Sequence, residues 1–262
     1  GHEDRNLSYA SSFIVADHSE AFVLETGGRE WAVEHITSGA RSISNGLTIP
    51  EFAAGREQRV RTHFSRCRTR RAITEAGAAQ ATTVHDLMSV LRDHGGPAPS
   101  YSPITGAMGT PCMHAGGLAA ASQTTASWVA ELTPDGAKHW CTATAAPCVG
   151  LFKPVAVGDP LDLGPEPGDR FDDRCLWWRH ERLHRRCLAD PERLLPMITG
   201  ERDEVEQRWL ADPPAPADAF AEADRLLQRW TDSVHRKSGG DTRPPWVRHY
   251  WRVRNERAQL PM

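Results

Sequence analysis

The stretch SFIVADHSEAFVLETGGREWAVEHITSGARSISNGLTIP, Ser12 to Pro50, decides the fold. Short apolar, β-rich runs alternate in it with turn pairs. SFIVAD is followed by His18-Ser19, then EAFVLET, then Gly27-Gly28, a strong hairpin signal because glycine accepts the positive φ such turns need. REWAVEHI alternates, with Trp31, Val33 and His35 on one face and Ala32, Glu34 and Ile36 on the other. The spacing therefore predicts a β-meander, with ARSISNGLTIP, Ala40–Pro50, as its fourth strand. Ile43, Leu47 and Ile49 share a parity in that last run, and Asn45 falls on it. An extended chain would turn the Asn45 amide toward the core, where an amide without partners is costly.

Residues 51–81 are polar and basic, with Arg56, Arg59, Arg61, Arg66, Arg68, Arg70 and Arg71. In TTVHDLMSVLRDHGG, Val84, Leu87, Met88 and Leu91 fall at helical spacing, Thr83 and Asp86 form a capping box, and Gly95 supplies the stop. Residues 95–123 have no period and are rich in Gly, Pro and Ala; a loop of that length in a compact domain is usually functional or mobile. TTASWVAEL and KHWCTATAAPCVGLFKPVAV read as two more strands around a PDG turn, the second interrupted near Pro147. Beyond the linker the stripes are helical: Leu176, His180, Leu183 and Cys187; Val205 and Trp209; Phe220, Ala223, Leu227, Trp230 and Val234. Strands and helices fall in separate blocks, which is an α+β pattern. The expected organisation is an α+β domain over 1–158, a linker over 159–173, a helical region packing on the same domain over 174–240, and a basic aromatic tail over 241–262.

The 262 residues carry 31 basic and 34 acidic side chains, a formal charge of −3, which argues against a general polyanion binder and against a disordered acidic chain. The apolar runs are far too short to span a membrane, and no basic-then-apolar leader opens the sequence. Six cysteines without a CxxC pair suggest reduced thiols in the cytoplasm and no zinc cluster. The arginines of 56–71 and the Trp246, Tyr250 and Trp251 tail read as solvated or docking surfaces, so no nucleic acid partner is expected.

The opening stretch resembles the secernin family and the related bacterial cysteine dipeptidases. Further blocks match in the same order: LRDHGG (Leu91–Gly96), MHAGGLAAASQTTASWVAEL (Met113–Leu132), HWCTATAAPCVGLFKP (His139–Pro154) and LWWRHERLH (Leu176–His184). The resemblance implies an N-terminal-nucleophile hydrolase fold, an αββα sandwich of two antiparallel sheets with a helical C-terminal region. It implies a peptidase that hydrolyses C–N bonds of small peptides or amides with an N-terminal Cys. The α-amino group of that Cys, which titrates near neutrality, would take the thiol proton. Residue 1 here is Gly, and none of the six cysteines has the matching context, so the nucleophile is expected to lie outside this sequence, which by itself would be inactive. The resemblance further implies that Asn45 faces the nucleophile and donates to the tetrahedral oxyanion. A smaller departure is Ala143, between Thr142 and Thr144, where the family often has Gly.

Gln123, Thr124 and Thr125 supply amide and hydroxyl groups suited to hydrogen-bonding a peptide-like substrate. Cys112 and His114 lie two apart, as a thiol–imidazole pair could, but two residues on a loop are weak evidence of a site, and we read them as loop. His180-Glu181-x-x-His184 matches the H-E-x-x-H zinc motif, with Glu201, Glu204 and Glu206 downstream as third-ligand candidates. Arg179, Arg182, Arg185 and Arg186 crowd that motif, whereas zinc-peptidase helices are buried, so His180 reads as a satisfied core or interface histidine, and neither metal nor cofactor is expected. Two alternatives to the peptidase reading stand: a non-catalytic secernin-like scaffold whose helical third is the partner surface, and a zinc hydrolase built on His180 and His184. Assembly into a homo-oligomer is compatible with the sequence.

Overall fold

The computed structural model describes residues 10–54, 65–119, 121–237 and 239–262. Strands β1 (Ser11–Ala16), β2 (Ala21–Gly27) and β3 (Glu30–His35) form the expected meander, antiparallel throughout. Phe13 pairs with Leu24, and Leu24 with Val33. Gly28 takes φ 65° in the second turn, which a side chain would disfavour. The Asp17 carboxylate closes the first turn by accepting the backbone N–H groups of Ser19 (2.7 Å) and Glu20 (2.9 Å).

The fourth strand does not form. Between Ala40 and Ile49 the ladder is reduced to one isolated bridge, which pairs Ser44 with Gly46. The reason is Glu25. Its fully buried carboxylate accepts the backbone N–H of Thr48 (2.5 Å) and of Ile49 (3.1 Å), and the Thr48 hydroxyl (2.8 Å). Donors that a strand would give to a neighbour go to a carboxylate instead, so the segment coils over β2. Asn45 is consequently exposed, not turned into a core.

After the short helix α1 (Pro50–Ala53), the basic run continues as α2 (Cys67–Gln80), and α3 (Val84–Leu91) follows. Arg56, Arg59 and Arg61 of that run lie outside the described residues. Arg70 is buried, contrary to its reading as part of a solvated face. The α3 capping box is present: Asp86 N–H donates to the Thr83 hydroxyl (3.1 Å), and Thr83 N–H to the Asp86 carboxylate (2.9 Å). A second antiparallel sheet comprises β4 (Trp128–Thr133), β5 (Gly136–Cys141) and β6 (Lys153–Val155). The interruption near Pro147 is a turn between β5 and β6, with Ala143 and Ala146 at φ 51° and 52°.

Helices α4 (Leu176–Cys187), α5 (Pro191–Leu194), α6 (Pro196–Ala211) and α7 (Pro216–Lys237) bury Leu183, Ile198, Trp209 and Trp230 against the Ala145–Leu151 turn. Each such side chain contributes about 1.5–3 kcal/mol by leaving water. A second cluster, Met88, Val129, Trp140 and Phe152, joins α3 to the second sheet, and a third, Val23, Ile49 and Phe52, lies under the meander. The basic tail folds as α8 (Pro245–Ala258) and docks on its own chain, with the Trp251 indole N–H donating to the Ala115 carbonyl (3.2 Å).

The mixed α+β class is thus present. The two sheets belong to different core clusters, and their face-to-face packing is not seen among the described residues. The outer face of the meander instead leaves Phe13, Val15, Trp31 and Val33 exposed. No described helix is long and apolar enough to cross a membrane.

Candidate functional site

Two groups of chemistry-bearing residues stand out, and Arg70 reaches from one toward the other. At the first, the Ser42–Ile49 coil is pinned from below by Glu25 and from the side by α2. Ser42 and Thr74 share a hydroxyl–hydroxyl bond. The buried Arg70 guanidinium donates to the Asn45 side-chain oxygen (2.5 Å), to the Ser44 hydroxyl (3.1 Å) and to the Met108 carbonyl (2.7 Å). With its oxygen engaged, Asn45 has its amide N–H groups left to offer. Its neighbours Ser44 and Gly46 line a cleft of about 200 Å³ whose other wall includes Arg68 and Arg71.

The second group was not legible in the sequence. His94, just past α3, Cys112 and His114 in the long loop, and Cys148 in the β5–β6 turn converge on one point, with their ligand atoms all within 4.8 Å of one another. His114 Nε2 lies 2.9 Å from His94 Nε2, 3.4 Å from Cys112 Sγ and 3.7 Å from Cys148 Sγ. All four side chains are buried. The expectation that Cys112 and His114 are merely loop residues is corrected: Cys148 and His94, 34 and 20 residues from His114, complete the group. All six cysteines are free thiols in the structure. Burial disfavours ionisation of both clustered thiols; the Cys112 hydrogen bond and the nearby His114 ring nonetheless hold the Cys148 thiol well below its ordinary value, and Cys112 is pushed up. Burial also brings His114 down to about 4, so its imidazole is neutral at pH 7.

Helix α4 supports this cluster from behind. His114 Nδ1 meets His184 Nε2 at 3.2 Å, and His184 Nδ1 meets the Glu181 carboxylate at 2.9 Å. Arg185 Nε donates to the other Glu181 oxygen (2.7 Å), while its guanidinium lies against the Trp178 and Trp251 rings. Burial alone would raise the Glu181 carboxyl, but His184 and Arg185 hold it at about 2. The arginines thought to crowd the motif do not keep α4 at the surface: Arg185 packs inward as the partner of Glu181.

His180 and His184 therefore do not form a zinc-peptidase pair. His184 has both nitrogens committed, and Glu181, the required base, is sealed in an ion pair with no route to a water or substrate. His180 is buried but not satisfied: neither ring nitrogen has a hydrogen-bond partner among the described residues, and burial brings it down to about 3. It borders a cavity of about 30 Å³ with Thr144 and Lys153.

Gln123, Thr124 and Thr125 lie beside the His114 loop. The Gln123 amide N–H approaches Glu181 (3.4 Å). The Thr124 hydroxyl donates to the Pro111 carbonyl (3.1 Å) and accepts from Met113 N–H (3.0 Å), so it stitches the loop that carries Cys112 and His114. Thr125 is exposed. The signal that could have found the second group is that three of the four matched blocks after the opening stretch each hold one member, His94, His114 and Cys148, with Cys112 immediately before the second of those blocks. Compared with known proteins, the chain matches no family model and no solved structure.

Proposed function

We propose that this chain carries the oxyanion side of an amide-hydrolysing site of the cysteine-dipeptidase type. The observation that supports the reading is the Asn45 amide. Its oxygen is taken by a buried arginine, which leaves its N–H groups to offer, and its neighbours Ser44 and Gly46 line a cleft. A donor held in place before reaction stabilises developing negative charge without reorganising, which is the requirement at a tetrahedral oxyanion. Arg68 and Arg71 on the same cleft suit the free carboxylate of a small peptide. The nucleophile in this reading is an N-terminal Cys thiolate whose own α-amino group serves as base. None of the six cysteines of the sequence is assigned that role in this reading.

The test is dipeptide hydrolysis by the protein translated from the complete reading frame, with Asn45→Ala beside wild type. Loss of one oxyanion donor lowers kcat by about 10²–10³-fold with little change in KM. Unchanged turnover by a folded Asn45→Ala protein sinks the assignment. Absence of thiol-sensitive turnover in wild type favours a non-catalytic scaffold.

A further inference from the structure

We propose that His94, Cys112, His114 and Cys148 bind one divalent transition-metal ion of the zinc class in a closed, structural site. This does not depend on the hydrolase reading, since it uses neither Asn45 nor its cleft.

The geometry is the first argument. Tetrahedral zinc with bonds of about 2.3 Å to sulfur and 2.0 Å to nitrogen places ligand atoms about 3.3–3.8 Å apart. The separations around His114 Nε2 are 2.9, 3.4 and 3.7 Å, within a few tenths of an ångström of that requirement. Two thiols and two imidazoles are also a donor set that zinc favours over calcium or magnesium, which take oxygen.

Charge is the second. A divalent ion buried among apolar side chains needs two negative charges, and the two thiols supply them: each loses its proton on binding, so two protons leave for each ion that enters, and the buried centre is neutral. Glu181 is balanced separately by Arg185 and makes no demand on it.

The support behind His114 is the third. The Glu181 carboxylate accepts from His184 Nδ1–H. With Nδ1–H given to Glu181, His184 offers its Nε2 to His114 Nδ1–H. That chain fixes the His114 tautomer and leaves an Nε2 lone pair aimed at His94, Cys112 and Cys148. Metal-bound histidines are oriented by such partners on their other nitrogen.

Burial decides between this and a thiol–imidazole nucleophile. Cys112 and His114 are fully buried and Cys148 is 5% exposed, so there is no open position at which a substrate carbonyl could approach. A closed site of four protein ligands is structural. It clamps three chain segments: the end of α3, the long loop and the β5–β6 turn.

The experiment uses the intact chain, purified under reducing conditions without chelator. Elemental analysis is expected to find about one zinc per chain. Exchange with Co²⁺ should give thiolate-to-cobalt charge-transfer absorption and the intense visible bands of a tetrahedral ion. Cys148→Ser and His114→Ala should lose these bands, whereas Cys175→Ser, in a separate core cluster, should keep them. Should the ligand variants not fold, wild type alone decides: a chelator should remove the bands and lower Tm, and added Zn²⁺ should restore it. Folded, reduced wild type that takes up no Co²⁺ overturns the proposal, as does retention of the bands in a ligand variant. A Cys112–Cys148 disulfide found by mass spectrometry in protein handled without oxidant overturns it too.

Discussion

Ala143 shows how a single residue records the demands of a backbone. At φ 51° it sits in the left-handed region, where a Cβ costs about 1 kcal/mol or more. The turn is imposed by its flanks. The Thr142 hydroxyl donates to the Thr144 carbonyl (2.8 Å) and the Thr144 hydroxyl to the Thr142 carbonyl (3.2 Å), which locks the three residues together. Ala143→Gly should therefore raise stability by up to about 1 kcal/mol, because relief of native strain exceeds the extra freedom of the unfolded chain. Urea denaturation measures it, and a loss above about 1 kcal/mol would show that the strain is not carried there. Asn45 is the opposite case: its backbone is unremarkable, and its interest lies in which of its amide atoms Arg70 has taken.

Among the elements, the coil from Ser42 to Ile49 is held by one side chain of β2. Glu25 accepts from two backbone N–H groups and the Thr48 hydroxyl while wholly buried. Glu25→Gln keeps the shape but turns one acceptor into a donor facing N–H groups, so a buried donor loses its partner. We expect a loss of about 2 kcal/mol in chemical denaturation. Faster hydrogen exchange should appear at Thr48 and Ile49. Because the coil carries Asn45, the same variant should weaken any turnover that depends on that residue, without touching metal uptake by the separate cluster. Intact exchange protection at Thr48 and Ile49 would refute the anchoring role of Glu25.

For the whole molecule, the second sheet is tied to the helical layer by buried charges. Glu206 on α6 accepts from Arg92 (2.6 Å) and from the Phe152 N–H (2.7 Å). Lys153 on β6 is buried, donates to the Thr142 (2.6 Å) and Leu151 (2.8 Å) carbonyls, and lies 5.0 Å from the Phe220 ring of α7. Burial brings its ammonium down from 10.5 to about 8. Between those values the unfolded chain holds a proton that the folded chain has released, so stability rises with pH across that window. Below about pH 8 the cost of burying the charge is felt in full. Relative to Lys153→Met, wild type should gain up to about 3 kcal/mol from pH 8 to 10.5. The difference between the two proteins cancels the thiols that ionise in both. A flat difference across that range would mean that Lys153 keeps its proton when folded.

The sequence by itself determined the local elements, because their causes are local. Gly27-Gly28 and the alternation of REWAVEHI produced the meander, and Thr83 with Asp86 started α3 where the spacing said. The separation into strand and helix blocks gave the α+β class. Only the tertiary structure decided the sites. Parity alone made Ala40–Pro50 a strand, since nothing in its own residues shows that Glu25 on β2 takes its donors. H-E-x-x-H looked like a metal motif because two histidines on one helix face are visible in sequence. Helix α4 instead supplies the support behind a cluster whose other members come from three distant segments. The physical reason is range: propensity and capping act over a few residues, whereas desolvation, ion pairing and ligand convergence depend on which distant groups burial brings together.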